Sequence, residues 1–202
     1  KRKKLRKKSH ILLGRYLADQ MSEVYSLQQH RKAFCLGNIM PDLRPSFLTT
    51  RHEFFGTFSQ LQEKMRELIE RNPEEDNARV YWRRFGEVMH YMADYFTFPH
   101  NRTYKGSLAE HNSYEAELKN CLKECILSGN ADSQLEEAKH FDSFEELVGY
   151  IRERHACYLE SPRCIADDIR FILRVCYQVI QGIFQLCLRR QFHMEGRPVT
   201  AI

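Results

Sequence analysis

The sequence predicts an all-α protein, a single multi-helix domain with a metal cluster between its helices. Three observations predict it. Apolar residues recur at intervals of three and four almost throughout, and alternating strand patterns are scarce. Capping signatures open several of the apolar runs. Imidazoles and carboxylates stand four apart on two neighbouring runs, among aromatic residues. A chain of 202 residues with 43% hydrophobic content is enough for one core.

The elements follow in order. A first helix is expected from Ser9 through "LLGRYLADQMSEVYSL". The stretch "CLGNIMPDLRPSFLTTRHEF" carries Gly37, Pro41 and Pro45 and is expected to be a long ordered loop. "FFGTFSQLQEKMRELIER" makes the next helix, stopped by Asn72 and Pro73. "DNARVYWRRFGEVMHYMADYFT" makes another, capped by Asp76 or Asn77. "FPHNRTYKG" reads as a turn, and "SLAE" at 107–110 as a capping box for a helix running to about Leu127. "SFEE" at 143–146 repeats that signature. Ser161 and Pro162 are expected to start a last helix, with proline at its favoured early position. The total is six or seven helices, with no internal repeat.

Charge is unevenly placed. The net value is +4, yet "KRKKLRKKSH" puts seven Lys or Arg among the first eight residues, so the remainder is slightly acidic. Residues 1–8 are therefore a basic arm and 9–202 the helical domain. Such an arm, Lys1 to Lys8, suits peripheral contact with anionic lipid or nucleic acid; a solvated tail is the alternative. The arm is not followed by the apolar run or cleavage site of a signal peptide. No stretch is expected to have the length and apolarity of a membrane-spanning helix. The seven cysteines include no paired CxxC, and buried free thiols in a reducing compartment are the expected state. The expected location is cytoplasmic or at the membrane periphery, and the expected form a monomer.

The chemistry-bearing residues cluster. His90 and Asp94 are four apart, so they share a helix face, and His100 follows after the turn. His111 and Glu115 repeat the spacing on the next helix, while Asp42 and His52 flank the proline-rich loop and His10 opens the first helix. Imidazole and carboxylate are what zinc takes from a protein when thiolates are not used. Two such pairs on neighbouring helices give convergent ligands, as in helical bundles that hold two metals. His30, His140, His155 and His193 have no such company and read as surface or structural.

Taken in order, "SH" at 9–10, "GNIMPD" at 37–42, "TTRHEF" at 49–54, "HYMADYFTFPH" at 90–100 and "EHNSYEAEL" at 110–118 resemble the zinc-dependent phospholipase C family, whose fold is shared by single-strand-specific zinc nucleases. The resemblance implies that Asp42, His52, His90 and Asp94 hold one zinc and that His100, His111 and Glu115 hold a second. It implies a third between His10 and the bridging Asp94. Family members also give that third ion a terminal amino group; here the residues before His10 are basic. Pro99 directly before His100, and Ala93, are further departures that remove no ligand. The implied activity is phosphodiester hydrolysis, most directly of phospholipid head groups, with Asp42 as general base. Tyr95 and Phe98, near His100, are the favoured cleft-lining residues, with core packing the alternative. A single-strand nuclease and a non-catalytic, metal-stabilised membrane-binding module are the competing readings.

Overall fold

The computed structural model describes residues 3–43, 53–71, 77–162 and 164–194, and among them there are helices and no strands. The order is α1 (Lys3–Gln20), α2 (Tyr25–Gln29), α3 (Arg31–Gly37), a 3-10 turn at Pro41–Leu43, α4 (Phe54–Glu70), α5 (Ala78–Tyr95), a 3-10 turn at Phe98–His100, α6 (Leu108–Leu127), α7 (Asn130–Gln134), α8 (Phe144–Glu160) and α9 (Ile165–Met194).

Most expected helices are present, and the differences have local causes. The first helix begins earlier than Ser9 and takes in Lys3–Lys8 of the basic arm. It also stops sooner, because Gln28 donates from Nε2 to the carbonyls of Ala18 (2.8 Å) and Met21 (3.0 Å), closing the end of α1 from the following turn. The first part of the expected loop is helical: α3 and the turn at Pro41–Leu43 occupy it. Residues 44–52, with Pro45 and His52, lie outside the described residues. Asn77 caps α5 by accepting from the Val80 amide. Ser107 and Glu110 form the full capping box of α6. At α8 only half of that signature forms: Ser143 accepts from the Glu146 amide, while Glu146 turns to the Asp142 amide. Pro162 does not open the last helix. Ser161 ends α8, and α9 starts at Ile165, the Asp168 amide donating to the Cys164 carbonyl at 2.9 Å.

α3 lies backbone-to-backbone on α5. A side chain at Gly37 would strike the Arg83 carbonyl, and one at Gly86 the Phe34 carbonyl, so both positions need the absence of a Cβ. Phe34, Trp82 and Phe85 fill the core beside this crossing, fully buried. α9 packs against α4, α5, α6 and α8. It has the length and hydropathy of a membrane span, contrary to expectation, but 61% of its most apolar window is buried inside the bundle. Leu173, Cys176, Val179, Ile180 and Ile183 show why: their apolarity serves the core. The cysteines are free, Cys176 and Cys187 buried but Cys157 and Cys164 exposed, so burial holds for only some of the thiols.

Candidate metal centre

Five elements bring the candidate ligands together. α1 supplies His10, the turn after α3 supplies Asp42, α5 supplies His90 and Asp94, and α6 supplies His111 and Glu115. His100 ends the short turn between α5 and α6. His52 lies outside the described residues, but Glu53 beside it accepts from Arg102 at 3.1 Å, two residues beyond His100.

The side chains form two triads. His10, His90 and Asp94 make one, His100, His111 and Glu115 the other; within each, one ligand atom per residue falls within 4.8 Å of the others. Asp94 faces three imidazoles: its Oδ1 is 3.2 Å from His10 Nε2, and its Oδ2 is 3.2 Å from His90 Nε2 and 3.5 Å from His100 Nδ1. His100 then reaches Glu115 Oε1 with its other nitrogen at 3.2 Å, and His111 Nε2 reaches the same oxygen at 2.8 Å. The His100 ring thus joins the two triads. Asp42 approaches from its own turn, with Oδ1 3.9 Å from His90 Nε2. A cavity of about 30 Å³ opens among His10, Ala93, Asp94, His100 and Glu115, a volume suited to ions and water.

The electrostatics fit a cation. Burial and the stacked His90 ring, 4.0 Å away, lower the pKa of His10 against the pull of Asp94. Burial also opposes charge on His90, but the carboxylates of Asp94 and Asp42 outweigh it and raise its pKa. The Asp94 carboxyl is held well below its ordinary range by the three imidazoles, despite burial. His90 Nδ1 lies 2.8 Å from the Asn38 carbonyl, which can only accept, so the ring proton sits there. Nε2 is then left facing two carboxylates, an arrangement that calls for a second proton or a metal between them. Asp42 Oδ2 is buried and finds no hydrogen-bond partner among the described residues, as an oxygen reserved for a metal or its water would be.

Neither aromatic candidate lines this cavity. Tyr95 does not line the cavity: it is fully buried, packs edge-on to Phe54 at 5.2 Å and bonds Thr57 Oγ1 through its hydroxyl at 2.8 Å. One step past Asp94 on a helix, it points into the α4–α5 core. Phe98 is half-buried against Tyr104 and Tyr114, and its ring is likewise absent from the cavity lining.

Several supporting residues went unforeseen. Asn38 orients His90, although it lies inside "GNIMPD". Asn101 donates from Nδ2 to the carbonyls of Tyr95 and Thr97, and His155 Nε2 contacts its Oδ1 at 3.2 Å, pinning the turn just past His100. The structural reading of His155 holds: it is buried, stacked 3.9 Å from Phe54, and burial lowers its pKa to about 4. Asp168, at the start of α9, pins the same turn through the Phe98 amide at 2.9 Å. Burial pushes its carboxyl up to about 6, against the hydrogen bonds it accepts. No spacing rule links residues 98 and 168.

A family model described as zinc dependent phospholipase C matches residues 9–165, well over half of the chain. No curated protein and no solved structure matches the chain.

Proposed function

Because this chain belongs to the zinc-dependent phospholipase C family, we propose that it is a zinc-dependent phosphodiester hydrolase that cleaves phospholipids at the head-group phosphate. One observation carries the reading beyond membership: the two His and carboxylate triads, joined through Asp94 and His100. We assign one ion to His90, Asp94, Asp42 and His52, and a second to His100, His111 and Glu115. His10 with Asp94 is the place for a third. α1 continues as helix before His10, so the residues preceding it run on along the helix axis.

Zinc held there supplies charge that neutralises the phosphodiester oxygens and makes a bound water acidic. The protein's own residues do the rest. Asn38 fixes the His90 tautomer and leaves Nε2 as the ligand atom. Asp42, with one oxygen toward His90 and the other without a partner among the described residues, is the general base that takes a proton from the attacking water. His100 Nε2 and His111 Nε2 lie 3.2 and 2.8 Å from the same Glu115 oxygen, so three ligand atoms converge where one ion would sit. The basic arm, helical from Lys3, would meet an anionic membrane surface, with the enzyme acting there as a monomer.

The test pairs metal analysis with two substrates. The purified chain should carry at least two zinc ions and release phosphorylated head group from phosphatidylcholine vesicles. Asp42→Asn should cut kcat by about 10²- to 10⁴-fold with little change in KM. Cleavage of single-stranded DNA in place of lipid would convert the reading to a nuclease. Bound zinc with neither substrate cleaved would favour the binding module.

A further inference from the structure

We propose that Asp168 is a positioning residue for the His100, His111 and Glu115 half of the centre, clamping from α9 both elements that deliver those three side chains. The inference rests on the assignment of these residues to one ion made above.

Asp168 is fully buried. Its Oδ2 accepts from the Phe98 amide at 2.9 Å and from the Tyr114 hydroxyl at 2.9 Å, and its Oδ1 accepts from the Tyr158 hydroxyl at 2.6 Å. The first two donors are informative by position. Phe98 opens the turn that ends in His100. Tyr114 stands next to Glu115 and one helical turn from His111. One carboxylate oxygen therefore ties the turn to α6, the two supports of a single triad. Tyr158, from α8, holds the other oxygen and keeps the carboxylate from swinging away.

Burying an acid is costly, and among the described residues no cation offsets that cost here. An apolar side chain would avoid it but would leave three buried donors without an acceptor. Here its partners are one backbone amide and two phenols, so what it adds is direction: three donors converge on oxygens at fixed angles. Among the described residues its hydrogen bonds reach neither α1 nor α5, the supports of His10, His90 and Asp94. The clamp grips the supports of one triad directly and reaches the other only through the His100 ring beside Asp94. It also lies just beyond the matched segment 9–165, on an element that the family match reaches only at its first residue.

The experiment measures zinc affinity of the 202-residue chain by competition with a chromophoric chelator. His111→Ala and His90→Ala identify which class of bound zinc belongs to which triad. Asp168→Ala should weaken the His111-dependent class most, by up to the roughly ten- to hundredfold that losing a ligand's own hydrogen-bond partner costs, and weaken the His90-dependent class distinctly less. Tyr114→Phe, which keeps the ring and removes one hydroxyl, should weaken the same class by a smaller factor and guards against misfolding of the alanine variant. Asp168→Asn keeps an acceptor for the Phe98 amide and should restore most of the affinity. Equal weakening of both classes, or an unchanged His111-dependent class in Asp168→Ala and Tyr114→Phe, overturns the clamp. Normal zinc binding with no phospholipid cleaved overturns the proposed activity and leaves the clamp standing. A wild-type chain that binds no zinc removes the ligand assignment and the clamp together.

Discussion

His155 carries no ligand role, yet its burial makes it a reporter of acid stability. Its pKa is 6.5 when unfolded and about 4 when folded, so between those values the unfolded chain binds the extra proton. Stability therefore rises with pH across that window and is lost as pH falls below 6.5, by at most about 3 kcal/mol. His155→Phe, which preserves the stack on Phe54, should flatten the acid limb of melting temperature against pH between 4.5 and 7. Asp168 acts with the opposite sign: its folded pKa near 6 exceeds the ordinary 3.8, so its contribution declines as pH rises between them. Asp168→Asn should steepen the same limb; a limb that flattens would show the carboxyl is not raised. At this scale the sequence was readable where spacing carries meaning. His90 with Asp94 and His111 with Glu115 face each other as four-residue spacing requires. Tyr95 was not, because a residue one step along a helix turns by about 100° and leaves the face its neighbour shares. Asp168 could not be, since the Phe98 amide and Tyr114 hydroxyl it joins lie 70 and 54 residues away.

Among the elements, the α3–α5 crossing does most to place the centre. The contact between Gly37 and Gly86 lets α3 lie close enough for the Asn38 carbonyl to reach His90, one turn further along α5. Gly86→Ala should therefore cost about 3 kcal/mol or more and lower the melting temperature by roughly 10 °C, because the obstacle is backbone that cannot rotate away. A melting temperature within a degree or two of wild type would mean the helices slide apart freely. The start of α6 offers a milder case. Ser107→Ala removes a cap and should cost about 1 kcal/mol, a shift of a few degrees in a thermal melt. That cap was legible in four letters, as was the Asn77 cap of α5. The breaks around α2 were not, because the Gln28 side chain that closes α1 follows no spacing rule. Helix α9 shows the complementary ambiguity: a long apolar run is equally suited to lipid and to a core, and only its neighbours decide.

For the whole molecule, charge and metal are the two handles. Replacing Lys3, Lys4, Lys7 and Lys8 with Glu should reduce sedimentation with phosphatidylserine vesicles strongly at low salt, at about 1 kcal/mol per basic residue near the surface, and less at high salt. Undiminished sedimentation would assign membrane contact to another surface. Stripping zinc with a chelator should lower the melting temperature by several degrees, since free metal at a hundred times its dissociation constant stabilises by about 2.7 kcal/mol. The placement of the clamp has a consequence for how the protein is made. Every candidate ligand has been synthesised by Glu115, whereas His155 and Asp168, which grip the turn holding His100, come in the last third of the chain. A nascent polypeptide emerging from the ribosome therefore has every candidate ligand long before it has the side chains that brace the turn holding His100. On the proposed assignment that half is completed only with α8 and α9, and a polypeptide arrested near residue 140 would carry every candidate ligand without a finished site.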